Sequence, residues 1–235
     1  MSRRAAAPGK QVSARPAAPR VADGLAEPTL AELLDDDQWN GATISHDLSG
    51  QRLRRLDVSE CRFTGCRLTG ADLEGARLID VELVDCELSG TSLVDAVLKR
   101  VELRNCRLSG ALLTGAKLRD VLVVECRADF LNMRMSVDER VTFERTMLPD
   151  ADFYGARLET CRMFDCDLSS VEFSTATFVD TRLHGSDLSS LRGIENVRGV
   201  TIDPDQVHDF TLALLAAHNV TVDAEREPLL GDPRA

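Results

Sequence analysis

The chain has 235 residues, a formal net charge of −11 and an aromatic content of only 4%. This length suits one domain with tails, and so few aromatic residues argue against a broad globular core. Because no run of 18 apolar residues occurs and the first residues lack a hydrophobic stretch, we expect neither a transmembrane helix nor a secretory signal.

The first 26 residues are predicted to form a disordered basic tail. Residues 1–20 carry five basic residues and no acidic residue, and they are rich in Ala and Pro, a composition typical of solvated tails. A contact of this tail with nucleic acid or a membrane is the alternative interpretation. Residues 27–44 are predicted to form an N-terminal cap, in which a short helix over 28–37 and Trp39 cover the next segment. An unstructured acidic linker is the alternative there.

A five-residue repeat runs from Leu48 to Leu188. Of its 29 positions, 27 are Leu, Phe, Met or Val, and the exceptions are Ala128 and Asp138. The residue two places before each repeat position is uncharged between 61 and 186. All charged residues between 41 and 190 except Asp138 avoid both positions. Because burial of an unpaired charge is costly, this segregation indicates an inside and an outside.

A second period of 20 residues lies on top of the first. Cys66, Cys86, Cys106, Cys126 and Cys166 share one phase of it. Twenty residues per turn and five per repeat predict a coil with four sides, and like residues in successive turns stack at strand spacing, ~4.8 Å. We expect about seven such coils.

Several repeats resemble a known motif. The stretches ADLEG at 71–75, AKL at 116–118 and ADFYG at 151–155 resemble the A-(D/N)-L-x-x motif of pentapeptide-repeat proteins. The resemblance covers about 45–190 and implies an all-β fold, a right-handed quadrilateral parallel β-helix with short helical caps. In related proteins the C-terminal end of the rod is a dimer contact, which implies a homodimer through the C-terminal cap. Function differs widely within this family, so the resemblance implies little about activity.

The repeat is disturbed between 128 and 140. We expect a local distortion there in which Val137 turns inward in place of Asp138; a protruding functional loop is the alternative. After the rod, residues 191–223 are predicted to form a C-terminal cap with a helix over 204–218, because Asp203 and Pro204 are helix-start signals. Residues 224–235 are predicted to be a disordered tail.

The sequence predicts no catalytic centre, no cofactor and no metal site. Motifs for nucleotide binding, metalloprotease and serine hydrolase chemistry do not occur. All seven cysteines fall on inward positions, where we expect reduced thiols packed as small apolar groups in a cytoplasmic protein. The protein is therefore predicted not to be an enzyme.

Large apolar residues at outward positions suggest a binding scaffold for an unidentified protein partner, or for self-association, because an exposed apolar patch usually marks an interface. In the alternative interpretation, the distortion at 128–140 or a tail folds over these residues. The candidate partner-contact residues are Leu122, Val124, Phe130, Met135 and Phe164.

A DNA mimic is the competing hypothesis. The resemblance implies it, because the quinolone-resistance members of the family mimic duplex DNA and bind type II topoisomerases, which makes DNA gyrase the implied partner. The rod over 41–190 has a net charge of only −6, and we expect neither nucleic-acid binding by the rod nor membrane binding. The candidate acidic face consists of Asp47, Glu87, Asp129, Asp150, Asp167 and Asp187.

Overall fold

The computed structural model describes residues 15–195 and 197–222. The parts of the predicted tails over 1–14 and 224–235 lie outside the described residues, as does the last residue of the predicted C-terminal cap. Within the described residues, no helix is long and apolar enough to cross a membrane.

The chain winds into a parallel β-solenoid of about eight turns. Each turn has four sides, which we name A to D. The inward residues of each side are 20 positions apart. They run from 58 to 178 on side A, from 63 to 183 on side B, from 48 to 188 on side C and from 53 to 173 on side D. The strands are β1 (Gln38–Asn40), β2 (Thr43–Ile44), β3 (Asp57–Thr64), β4 (Arg77–Val84), β5 (Val97–Arg104), β6 (Lys117–Val124), β7 (Val137–Glu144), β8 (Arg157–Glu159), β9 (Arg162–Phe164), β10 (Thr177–Val179), β11 (Thr181–Arg182) and β12 (Val200–Thr201).

Sides A and B are built differently from sides C and D. The strands β3 to β7 each run along side A, turn a corner and continue along side B, and each pairs in parallel with the next strand at a register of 20 residues. Sides C and D contain single bridges with the same register, such as Asp47↔Arg67 and Arg52↔Asp72. All four sides are thus hydrogen-bonded from coil to coil.

The core is a narrow column of stacked side chains. Leucines fill most of its N-terminal half, and their positions are buried. In the C-terminal half, Phe153 contacts Phe143 and Phe173 with ring centroids 6.4 and 5.4 Å apart, and Phe173 contacts Phe178 at 5.3 Å. The column therefore admits aromatic rings where several occupy successive coils.

The small inward residues also act as hydrogen-bond donors. Thr146 Oγ1 donates to the Val123 carbonyl at 3.4 Å, and Ser186 Oγ donates to the Met163 carbonyl at 3.0 Å. The seven cysteines occupy equivalent positions and are buried free thiols. Burial raises the pKa of the Cys166 thiol to about 12, so this thiol is kept in its neutral form.

Short helices lie at both ends of the rod. Helix α1 (Leu30–Asp35) begins after the N-cap Thr29, whose hydroxyl accepts from the Glu32 amide in a capping box. Trp39 is buried, and its indole N–H donates to the Leu33 carbonyl at 2.9 Å. At the other end, a 3₁₀ turn (Pro204–Gln206) leads into helix α2 (Val207–Ala217).

Residues 15–26 differ from the predicted disordered tail. They lie against the rod, and the backbone N–H of Ala17 and of Arg20 donate to Asp120 and Asp80. Ala26 then pairs with Ala42 in a parallel bridge. The prediction was wrong here because a Pro- and Ala-rich composition gives no local sign of hydrogen bonds to residues 60 and 103 positions away.

The expected distortion at 128–140 is absent, and the prediction that Val137 replaces Asp138 inside is wrong. Strand β7 keeps full register, with Asp138 between Leu118 and Leu158. Asp138 is 1% exposed, whereas Val137 is 44% exposed. A shift by one residue would reverse every side chain of the strand, so the ladder holds the carboxyl inside.

Asp138 is only partly satisfied in the core. Its Oδ2 lies 2.8 Å from Ser136 Oγ, and its Oδ1 has no hydrogen-bond partner among the described residues. Burial raises the pKa of Asp138 from 3.8 to about 7, although the Ser136 hydrogen bond opposes the shift. The folded state therefore retains a proton that the unfolded chain releases, so this group lowers stability as pH rises from about 4 to about 7.

Replacement of Asp138 by Asn should remove this pH dependence. Between pH 5 and pH 8, we expect the free energy of unfolding of D138N to rise relative to wild type by about 3 kcal/mol, measured by urea denaturation. Because Asp150 is an exposed carboxyl, D150N is the control and should track wild type at both pH values. Parallel pH profiles of D138N and wild type would contradict the assignment.

Candidate protein-binding surfaces

Every fifth residue from Gly50 to Ser190 has a positive φ angle. These residues form the four corners of each coil. Left-handed backbone costs most L-residues about 1–2 kcal/mol, and Gly, Asn and Asp tolerate it best. Most corners accordingly carry Gly or a polar residue. The exceptions among them are Phe130 and Met135, two large apolar residues with φ angles of 56° and 58°.

Gly155 shows how the corner of Met135 is accommodated. The side chain of Met135 lies over the next corner of the same column, and a Cβ added to Gly155 would lie 2.5 Å from Met135 Sδ. Gly155 itself has a φ of 66°. A glycine at 155 therefore suits the left-handed backbone and leaves the space into which the flexible Met135 side chain extends.

Phe130 and Met135 belong to a larger exposed group. Phe130 is 63% exposed and Met135 is 59% exposed, and three further apolar residues on adjoining coils are also exposed. We name this group the apolar collar, since it extends over parts of sides C, D and A. Its members are Leu112, Phe130, Met135, Val137 and Met147.

The other predicted contact residues lie elsewhere. Leu122, Val124 and Phe164 are on side B, away from the C–D and D–A corners of the collar. Val124 is only 3% exposed although its position faces outward, and Leu122 and Phe164 are half-buried. The structure thus divides the five predicted residues between two surfaces.

Side B is crossed by the N-terminal segment, residues 15–22, which we name the strap. The Ala17 N–H donates to Asp120 Oδ1 at 3.2 Å, and the Arg20 N–H donates to Asp80 Oδ1 at 3.1 Å. Both carboxylates are at the corner between sides A and B, two coils apart. The strap therefore runs parallel to the rod axis, from the coil that carries Asp120 and Val124 to the coil that carries Asp80.

The carboxylates that hold the strap are themselves held by arginines. Arg100 Nε donates to Asp80 Oδ1 at 2.6 Å, and Arg140 donates two hydrogen bonds to Asp120 at 2.7 and 2.8 Å. The Arg100 hydrogen bond lowers the pKa of Asp80. Burial acts to raise the pKa of Asp120, but hydrogen bonds from Arg140 and the strap outweigh it and lower that pKa. Both acids are therefore ionised acceptors at neutral pH.

A groove of about 820 Å³ continues along side B beyond the strap. Arg15 and Pro16 line it on the strap side, together with Leu122 and Phe164 of the rod. The Phe164 ring packs edge-on against His184, with centroids 6.0 Å apart. The groove therefore combines apolar walls with charged residues such as Asp203 at its C-terminal end.

The predicted acidic face lies on side C and is partly neutralised. Asp47 pairs with Arg67 at 3.6 Å, Glu87 with Arg107 at 3.5 Å, and Asp129 with Arg127 at 2.7 Å. Several of its acids also stabilise turns, because each accepts a hydrogen bond from the backbone N–H two residues later. These turn-forming acids are Asp47, Glu87, Asp167 and Asp187.

The turn-forming role leaves a pattern that the sequence already contains. An acid before the inward residue and a serine after it occur together at 47–49, 87–89, 167–169 and 187–189. Asp and Asn side chains commonly accept such hydrogen bonds in turns. Four of the six acids of side C are therefore explained by local structure, and Asp150, at a left-handed corner, also suits its backbone.

Within residues 15–195 and 197–222, no group of three or more His, Cys, Asp or Glu side chains is arranged to hold a metal ion. At the C-terminal cap, helix α2 leaves Val207 and Leu212 exposed, and Val220 follows it on the surface. Together with Val222, which is also exposed, these residues provide apolar surface for the predicted dimer contact.

The four-sided geometry and the five-residue repeat define a pentapeptide-repeat solenoid. In agreement, a family model of the pentapeptide repeat region matches residues 56–135. Residues 56–135 of the chain therefore belong to the pentapeptide repeat family. No curated protein sequence matches the chain.

Solved structures of other proteins are similar at low identity. Full-length QnrB1, a plasmid-mediated fluoroquinolone resistance protein, is 21% identical with a TM-score of 0.43, covering 76% of this chain and 98% of that one. HetL, a protein involved in heterocyst differentiation regulation in the cyanobacterium Nostoc sp. strain PCC 7120, is 21% identical with a TM-score of 0.33, covering 66% and 78%. A thylakoid-lumen protein from Arabidopsis thaliana is 18% identical with a TM-score of 0.33, covering 66% and 77%.

Replacement of Phe130 and Met135 by Asn should stabilise the rod. Asn tolerates left-handed backbone better than Phe or Met, and both residues are mostly exposed. We expect F130N/M135N to raise the free energy of unfolding by about 1–2 kcal/mol in total, measured by urea denaturation. The variant S170N/T175N, at the same two corners two coils later, is the matched control and should change stability less. A destabilised F130N/M135N protein would show that the two side chains act in packing.

Proposed function

We propose that the protein is a non-enzymatic scaffold that binds a protein partner through the apolar collar. The observation that carries this proposal is the pair Phe130 and Met135. Both combine a left-handed backbone with more than half of the side chain exposed. Such residues are unfavourable for folding and for solubility, and they are typical of functional sites.

The rod is suited to this role because it is rigid. Each coil between β3 and β7 is hydrogen-bonded to the coil before it and the coil after it. A partner therefore meets the collar with its side chains already fixed on a rigid backbone, which reduces the ordering cost of binding. The buried free thiols are consistent with a cytoplasmic location, which we propose as well.

The collar variant also tests the proposed function. We expect F130N/M135N to lose the proteins that wild type retains from extracts of the native host, whereas S170N/T175N retains them, in a quantitative crosslinking comparison. Because the collar variant should be at least as stable as wild type, loss of binding cannot be attributed to unfolding. The same protein set on wild type and F130N/M135N would refute the proposal.

Self-association is examined with the same proteins by sedimentation velocity over a range of concentrations. A wild-type dimer that disappears in F130N/M135N would make a second copy the partner of the collar. A dimer that persists in this variant would point to the exposed residues of the C-terminal cap, as the family resemblance implies.

A DNA mimic that acts on DNA gyrase is the second candidate. The family resemblance suggests it, and Asp150, Asp167 and Asp187 give the C-terminal half of side C some negative charge. The arginine pairs of Asp47, Glu87 and Asp129 oppose it, because a duplex mimic needs a continuous negative surface along the rod. We regard this function as less well supported than partner binding at the collar.

A supercoiling assay separates the two candidates. With micromolar protein, we expect neither inhibition of gyrase supercoiling nor relief from a fluoroquinolone, because three of the six acids on side C are paired with arginines. The variant R67E/R107E/R127E converts side C into a fully acidic face and serves as the comparison. Inhibition or relief by the wild-type protein would favour the DNA mimic.

A further inference from the structure

The strap and the rod match in spacing. The donors at Ala17 and Arg20 are three residues apart, and their acceptors Asp120 and Asp80 are two coils apart. Two coils correspond to roughly 9.6 Å, which requires about 3.2 Å per residue of the strap. This is the rise of an extended chain, close to the ~3.1 Å per residue of polyproline II. One turn of such a chain therefore spans two coils of the solenoid.

The prolines of the strap fit this arrangement. Pro16 and Pro19 each precede one of the two donors, and both are half-buried against the rod. Proline has no N–H to donate and favours the extended conformation of its own backbone. The strap thus alternates between prolines that contact the surface and N–H groups that bind the corner carboxylates.

The acceptors are fixed before any chain binds to them. Arg100 and Arg140 orient Asp80 and Asp120, and each Oδ1 accepts from its arginine and from the strap. The carboxylates bind backbone N–H groups of the strap. They therefore select a segment by the spacing of its N–H donors and by its extended conformation more than by its side chains. Any extended segment with two prolines and two following donors at this spacing satisfies it.

We propose that side B is a docking track for an extended, proline-containing segment of a partner protein, and that the strap is an intramolecular occupant which this segment displaces. The groove that begins at Arg15 and Pro16 extends the track, and there a longer segment gains apolar contacts with Leu122 and Phe164. The track is separate from the apolar collar, so this proposal does not rest on the proposed function above.

The strap competes as a tethered ligand. A segment attached to its own binding surface acts at an effective concentration on the order of millimolar. A free segment of equal intrinsic affinity therefore binds poorly to the intact protein and well once the strap is released. This difference is the measurable signature of the proposed autoinhibition.

The test uses the full chain with its strap released by substitution. The variant A17P/R20P removes both N–H donors and leaves the rod and its carboxylates unchanged. The control variant A17G/R20A keeps both donors. Hydrogen exchange of the segment around residues 15–26 should be fast in A17P/R20P and protected in wild type and in the control.

Binding is then measured by fluorescence anisotropy with a labelled peptide of the sequence Arg15–Gly24. We expect this peptide to bind A17P/R20P at least about tenfold more tightly than wild type or A17G/R20A. A control peptide with proline at the two donor positions should not bind. Equal affinity for all three proteins, equal binding of the control peptide, absence of binding to A17P/R20P, or unchanged strap exchange in that variant would each overturn the proposal.

Discussion

The left-handed corner at every fifth residue determines how this chain folds. Each corner redirects the backbone from one side of the coil to the next. Four corners complete a coil, which brings residues 20 apart into register. Only then do the inward residues of successive coils stack into one continuous column. The cost of a left-handed residue recurs along the whole rod, and burial of the column and the coil-to-coil hydrogen bonds must outweigh it. Corners that carry neither Gly nor a polar residue are therefore the most informative positions on the surface.

Asp138 shows that the pairing register of a strand outweighs the unfavourable burial of one polar side chain. Its carboxyl enters an apolar column between Leu118 and Leu158. Expulsion of this one group would require β7 to lose its pairing with both neighbouring strands, whereas burial of the carboxyl is made tolerable by a retained proton and the Ser136 hydroxyl. A cooperative ladder thus accepts a local defect that an isolated strand would not.

Sequence patterns predicted the interior of this protein better than its surface. The repeat from Leu48 to Leu188 indicated both the inward positions and the four-sided coil, because burial acts on every repeat alike. The identity of an outward residue depends on several requirements at once, such as turn hydrogen bonds, ion pairs and contacts with distant segments. Asp47 caps a turn and pairs with Arg67, although in the sequence it reads only as an acid on an acidic face. Val124 lies at an outward position of the repeat, and no local pattern reveals that it is only 3% exposed or that Asp120, four residues before it, binds a segment more than 100 residues earlier.

The two candidate surfaces differ in how they are held. The collar side chains extend from a backbone that is bonded to two neighbouring coils, so their positions change only if the ladder opens. The strap is held at Ala17 and Arg20 by hydrogen bonds to side-chain carboxylates, and the bridge at Ala26 follows it in the chain. Unlike the collar backbone, the strap does not belong to the continuous backbone ladder, which favours a lower free energy of local opening. A rod of this kind can therefore present one surface permanently and uncover a second without any rearrangement of its core. The arginine-held carboxylates of Asp80 and Asp120 remain in place when the strap leaves, which keeps the uncovered surface ready for another extended chain.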